Sequence, residues 1–217
     1  MKLRLAAILM ALAACKDPAI PGRGGAYAYA DTAIIGVDTS VTLFHWPASR
    51  LPVRFWADPR SNMRFLVERG VGVWQDQFLY AEFRGVVVDD SMAADVIVQW
   101  TDSVPPDVPP DTASAPNACA GVTTFDYDTT GFTLAGPIHV SLTVLTGGPP
   151  VSAGQIQACM RRVAIHELGH SLGLLRHSSF DEDIMFGSPI VDYPSRFDRR
   201  SVEVLYHSQP TVQPPPP

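Results

Sequence analysis

The chain is short of positive charge. Its 16 lysines and arginines stand against 22 aspartates and glutamates, a formal net charge of −6. Proteins that bind phosphate backbones carry clustered Lys and Arg, so this balance argues against nucleic acid as a partner. Long apolar runs are lacking too. The run from Leu5 to Ala14 is too short to span a bilayer comfortably. Cysteine is scarce, with only Cys15, Cys119 and Cys159. No stretch reads as a separate sugar- or wall-binding module. What remains is ordinary globular composition, 46% hydrophobic. Roughly two hundred residues bury one good core, so a single domain and a monomer are expected.

The apolar run has a positive start, Lys2 and Arg4, and ends Leu12-Ala13-Ala14-Cys15. That ending resembles a bacterial lipobox. The resemblance implies a signal peptide over residues 1–14 and a lipid on the Cys15 sulfur, which anchors the protein to a membrane without spanning it. An ordinary secretory signal cut nearby is the alternative. Lys16 stands where aspartate would mark inner-membrane retention, so the expected location is the bacterial outer membrane or cell surface, facing periplasm or exterior. Loss of residues 1–14 removes Lys2 and Arg4 and moves the net charge from −6 to −8. Cys119 and Cys159 then remain, an even pair in an oxidising space, and a disulfide is expected over two buried thiols. It would close a loop of about forty residues, worth roughly 4 kcal/mol in the chain-entropy model. Residues 15–40 read as a flexible tether, 41–208 as the folded domain, and 209–217, ending in four prolines, as a disordered tail.

The chemistry is concentrated in residues 166–177, HELGHSLGLLRH. His166 and His170 are four apart, which on a helix puts them on one face, one turn above each other. Two imidazoles so placed can share one metal, and zinc suits imidazole with one position left for water. Glu167 stands beside them as a candidate general base. By composition, H-E-x-x-H arises by chance in on the order of one chain in a hundred. Gly173 can end the helix with a left-handed turn, His177 follows with a third nitrogen, and Met185 comes eight residues later.

His166, Glu167, His170, Gly173, His177 and Met185 together resemble the zinc motif and Met-turn of the metzincin metallopeptidases, closest to the matrixin branch. The resemblance implies an α+β catalytic domain: a twisted, mostly parallel five-stranded sheet with an edge strand, an active-site helix, a Met-turn and a C-terminal helix. It implies one catalytic zinc at His166, His170 and His177, Glu167 as general base, Met185 as the floor beneath the metal, and a protein or peptide as substrate. One departure stands out. The family has two residues between the glycine and the third histidine; here there are Leu174, Leu175 and Arg176. Arg176 occupies the strict third-ligand position and cannot bind zinc. Either the turn absorbs one extra residue and His177 binds, or a carboxylate such as Asp181, Asp183 or Glu203 replaces it. If the third ligand is lost, the protein is a non-catalytic zinc-binding or structural lipoprotein. A further option keeps the hydrolase but changes the bond, for instance to cell-wall cross-links.

Around this motif, strands are expected at 41–46, 52–56, 83–88 and 95–100, and a helix from Ser61, its N-cap, to Tyr80. Trp74 and Trp100 are expected in the core rather than stacked on a ligand. Residues 102–118 form a proline-rich loop. Asp107 and Asp111 are candidates for structural calcium, but their spacing is not an EF-hand pattern and a solvated acidic loop is expected. Strands at 121–126 and 137–142 follow, joined by a turn at Gly131. By its order the first resembles the matrixin edge strand. His139 resembles a structural-zinc ligand in position, but no His-x-Asp lies upstream, so it is expected to be an ordinary strand residue. The family's calcium-binding acids are replaced by Ser141, Leu142 and Thr143. Ser152 is expected to cap the active helix, which ends near Leu172. Gly187 stands where astacins and serralysins carry a tyrosine, which supports the matrixin side. Residues 195–207 read as a capped C-terminal helix.

Overall fold

The computed structural model describes residues 29–35, 38–103, 119–128, 132–145 and 151–215, with the backbone alone for 31–35 and 38–40. Its centre is a five-stranded sheet built from β3 (Val53–Ala57), β4 (Gly85–Val88), β5 (Val96–Trp100), β6 (Cys119–Thr124) and β9 (Ile138–Val144), in the order β4-β3-β5-β9-β6. The first four neighbours run parallel; β6 closes one edge antiparallel to β9. Parallel strands must be covered, and their sequences are accordingly apolar: Val53, Phe55, Val96, Val98, Ile138, Val140 and Leu142 are buried.

Two helices provide the cover. α1 (Met63–Gln75) packs on β3, β4 and β5, α2 (Ala153–Ser171) on β6 and β9, and the helices pack on each other. Each presents a stripe at helical spacing: Met63, Leu66, Val67, Val71 and Trp74 from α1; Met160, Ile165 and Leu168 from α2. Trp74 is core, as expected, and its indole N–H donates to Ile165 O at 2.7 Å, which fixes α1 against α2. The C-terminal α3 (Arg196–Tyr206) closes the chain. The matrixin-like α+β architecture expected from the sequence is the one observed.

Several boundaries differ. The expected helix 61–80 is trimmed at both ends. Ser61 lies at φ +53° and makes no cap, and the last turn loosens because Gln77 N–H and Phe78 N–H bond three residues back. Phe78 is thereby turned into a cluster with Phe83 and Tyr206. The stretch read as a tether to residue 40 is partly structured: β1 (Asp31–Ile35) and β2 (Asp38–Thr42) form an antiparallel hairpin. The strand expected at 41–46 is therefore mostly earlier, and Phe44 and Trp46 enter the core from outside a strand. The tail expected from 209 is docked as far as 215, where Pro215 O accepts from the Arg50 guanidinium at 2.8 Å. Thr211 N–H and Val212 N–H bond Leu43 O, Val212 is buried, and Gln213 bridges Thr133, so burial of one valine and backbone pairing outweigh the proline-rich composition. A small hairpin, β7 (Tyr127–Asp128) with β8 (Thr133–Leu134), lies between β6 and β9; Gly131 is outside the described residues. Among the described residues, no helix is long and apolar enough to cross a membrane.

Candidate metal centre and catalytic base

The centre is built on α2. Its start is fixed by a capping box in which Ser152 Oγ accepts from Gln155 N–H and the Gln155 side chain accepts from Ser152 N–H. Its end is fixed by Gly173. The Gly173 N–H bonds His170 O at 2.8 Å and the Leu174 N–H bonds Gly169 O at 3.2 Å, the paired bonds of a Schellman turn. Gly173 has φ +107°, and a Cβ there would lie 1.8 Å from Phe44 O. Only glycine fits both conditions.

The chain then returns toward the helix. Leu174 is fully buried, and Leu175 N–H donates to Tyr29 O at 2.9 Å. Arg176 is exposed and is not part of the histidine group. The extra residue is thus taken up in the turn, and His177 rather than Arg176 faces the helix. Ser178 N–H donates to Met185 O at 2.7 Å, which lays the His177 segment beside the Met-turn.

One ring nitrogen from each of His166, His170 and His177 lies within 4.8 Å of the others. His166 Nδ1 is 2.8 Å from Ile184 O, and His170 Nδ1 is 2.5 Å from Leu174 O. A carbonyl only accepts, so each Nδ1 carries the proton and each Nε2 offers its lone pair. Those two Nε2 atoms are 3.1 Å apart. Lone pairs aimed at one another repel unless a cation lies between them, and backbone-anchored Nδ1–H groups are the usual support of metal-binding histidines. Burial, then the like charges of His170 and His177, hold His166 well below the ordinary imidazole range. Burial, then His177, pushes His170 down to about 4, and burial lowers His177. All three are neutral donors at neutral pH, which is the set zinc takes.

Glu167 sits one residue along the same turn, 4% exposed. Burial pushes its carboxyl up to about 7, against a hydrogen bond from Thr123 that lowers it. Met185 is fully buried, its sulfur packed where a side chain at Gly169 would have to stand.

The matrixin family model matches residues 55–206. The chain belongs to the matrixin family. No curated protein matches it.

The rest of this matrixin's sequence-expected residues fall as follows. Asp183, weighed as a replacement ligand, is fully buried with both carboxylate oxygens engaged, one by Ser178 Oγ and one by Ser195 Oγ, each at 2.5 Å. Glu203 lies on α3 beside Arg199 and Arg200. Neither they nor Asp181 joins the histidine group among the described residues. His139 lies on β9, its Nδ1 3.3 Å from Gln99 Nε2, apart from that group. Cys119 and Cys159 form a disulfide with Cα atoms 6.0 Å apart, tying β6 to α2. Cys15, Asp107 and Asp111 lie outside the described residues.

Two supporting contacts appear only in the fold. The buried Asp198 of α3 accepts from Ile184 N–H at 2.9 Å and Met185 N–H at 3.3 Å, so the closing helix holds the Met-turn. Thr123 on β6 donates to Glu167. Each acts across a long sequence separation, which no local pattern encodes.

Proposed function

We propose that the protein is a zinc endopeptidase that cleaves peptide bonds in proteins or peptides, tethered to the bacterial envelope by a lipid on Cys15. The observation that supports it best is the convergence of three neutral imidazole nitrogens beside a buried carboxylate. His166, His170 and His177 would hold the metal. Zinc, when bound, supplies a Lewis acid that polarises the scissile carbonyl and acidifies a water. Glu167 accepts a proton from the attacking water as the oxygen–carbon bond forms, then delivers it to the amine as the carbon–nitrogen bond breaks. Burial raises this carboxyl, and a carboxyl so raised can both take and return a proton. Strand β6 pairs with β9 on one side and lies at the end of the sheet order. An extended peptide can add to such an edge by main-chain hydrogen bonds and so lie straight past the centre.

The test is cleavage of an unstructured protein by the zinc-loaded chain. Cleavage sensitive to chelation is expected, lost by about a hundredfold or more in Glu167→Ala with zinc content unchanged. In His177→Ala the zinc content itself should fall. Zinc retained with no cleavage of varied peptides would favour a non-catalytic zinc-binding lipoprotein instead.

A further inference from the structure

The edge strand and the active-site helix meet in a ladder of matched steps. Alternate strand residues face one side, so Cys119, Gly121 and Thr123 point the same way, at intervals of about 6.7 Å. Four residues of helix advance about 6 Å, so Cys159, Val163 and Glu167 keep pace with them along α2. The first rung is the disulfide Cys119–Cys159. The second is a close approach: a Cβ on Gly121 would lie 2.7 Å from Val163 Cγ1 and 2.6 Å from Glu167 Cγ, so only glycine lets the strand come this near. The third is polar. Thr123 Oγ1 donates to Glu167 Oε2 at 2.8 Å and lies 3.0 Å from Glu167 O.

We propose that Thr123 is a positioning residue for Glu167, with the disulfide and Gly121 setting the register in which its hydroxyl meets the carboxylate. The threonine hydroxyl occupies one carboxylate oxygen and leaves the other to act on water. A buried carboxylate without that donor would turn to find another partner, since an unsatisfied charged acceptor in this environment is costly. The strand that would bind the peptide therefore also aims the base, so substrate alignment and proton transfer share one element. The role of Thr123 rests on the peptidase reading, whereas its effect on where Glu167 points does not.

The experiment compares the full chain, detergent-solubilised and zinc-loaded, as wild type, Thr123→Val, Thr123→Ala and Thr123→Ser. Valine keeps the shape of threonine without the donor, alanine guards against a packing artefact, and serine keeps the donor. In Val and Ala, zinc content should equal that of wild type, KM should stay within about twofold, and kcat should fall about tenfold or more; Ser should recover most of it. Crystal structures of the same four proteins supply a readout independent of turnover. The Glu167 carboxylate should leave its wild-type position in Val and Ala and hold it in Ser. A carboxylate that stays in place without the hydroxyl, or a kcat that Val and Ala leave unchanged, overturns the proposal. If wild type cleaves nothing while the carboxylate moves as expected, the peptidase reading and the catalytic role of Thr123 fail together, and only its effect on where Glu167 points stands.

Discussion

Single residues set the geometry of the centre, and Gly173 is the most constrained of them. A side chain there would meet Phe44 O at 1.8 Å and would strain a backbone at φ +107°. Gly173→Ala should therefore destabilise the fold by about 2 kcal/mol or more. It should also weaken zinc binding, because the same turn delivers His177. Urea unfolding and a zinc-competition titration would measure the two effects. Asp198 is the counterpart behind the Met-turn. Asp198→Ala removes the acceptor of Ile184 N–H and Met185 N–H. Leaving such buried donors unpaired costs about 1–3 kcal/mol each, and a fall of that order in unfolding free energy is expected. At this scale His166, Glu167 and His170 were legible because helical spacing is local. The choice between His177 and Arg176 was not, because it depends on where Leu174 is buried and on the bond from Leu175 N–H to Tyr29 O.

At the scale of elements, α2 is held from three sides: by its capping box, by Trp74 of α1, and by the disulfide to β6. The disulfide spans 40 residues of sequence, and its reduction should cost about 4 kcal/mol in the chain-entropy picture. Denaturant midpoints with and without reductant would show this. The loss should appear in Cys119→Ala/Cys159→Ala as well. Elements with strong local signals were read nearly to the residue: Ser152 and Ser195 do cap their helices, and β5 and β9 fall where β-branched runs predicted them. Elements that exist through remote pairing were missed. The hairpin β1–β2 was read as tether and the strip at 211–213 as disordered tail, because alanine-, glycine- and proline-rich composition says nothing about a partner such as Leu43 or Phe44.

For the whole molecule, acid should be the main destabilising condition. Burial alone would raise the Asp95 carboxyl, but hydrogen bonds from Arg54 and Arg50 hold it below the ordinary range. Arg60 does the same for Asp58. Depressed carboxyls contribute stability above about pH 4 that is lost as pH falls further. The three depressed imidazoles have the same sign in an earlier window: their contribution is present above about pH 6.5 and is lost as pH falls toward 4. Glu167, raised to about 7, works oppositely between those limits, one group against three. The chelated protein should thus melt at a lower temperature at pH 5 than at pH 7. With zinc the drop should be steeper, since protons also compete for the ligand nitrogens. Thermal melts at the two pH values, with and without chelator, would check both statements.

The sequence by itself determined the class of fold and the pairing of His166 with His170 on one helix face, because helical periodicity, apolar strands and a turn glycine act over a few residues and leave their mark in order. The tertiary structure alone decided which residue completes the imidazole set, which carboxylates are spent on supporting hydroxyls and amides, and that Thr123 meets Glu167. Those outcomes depend on contacts between segments as far as 146 positions apart in the chain (Leu175 with Tyr29), and such distances close only when the core does.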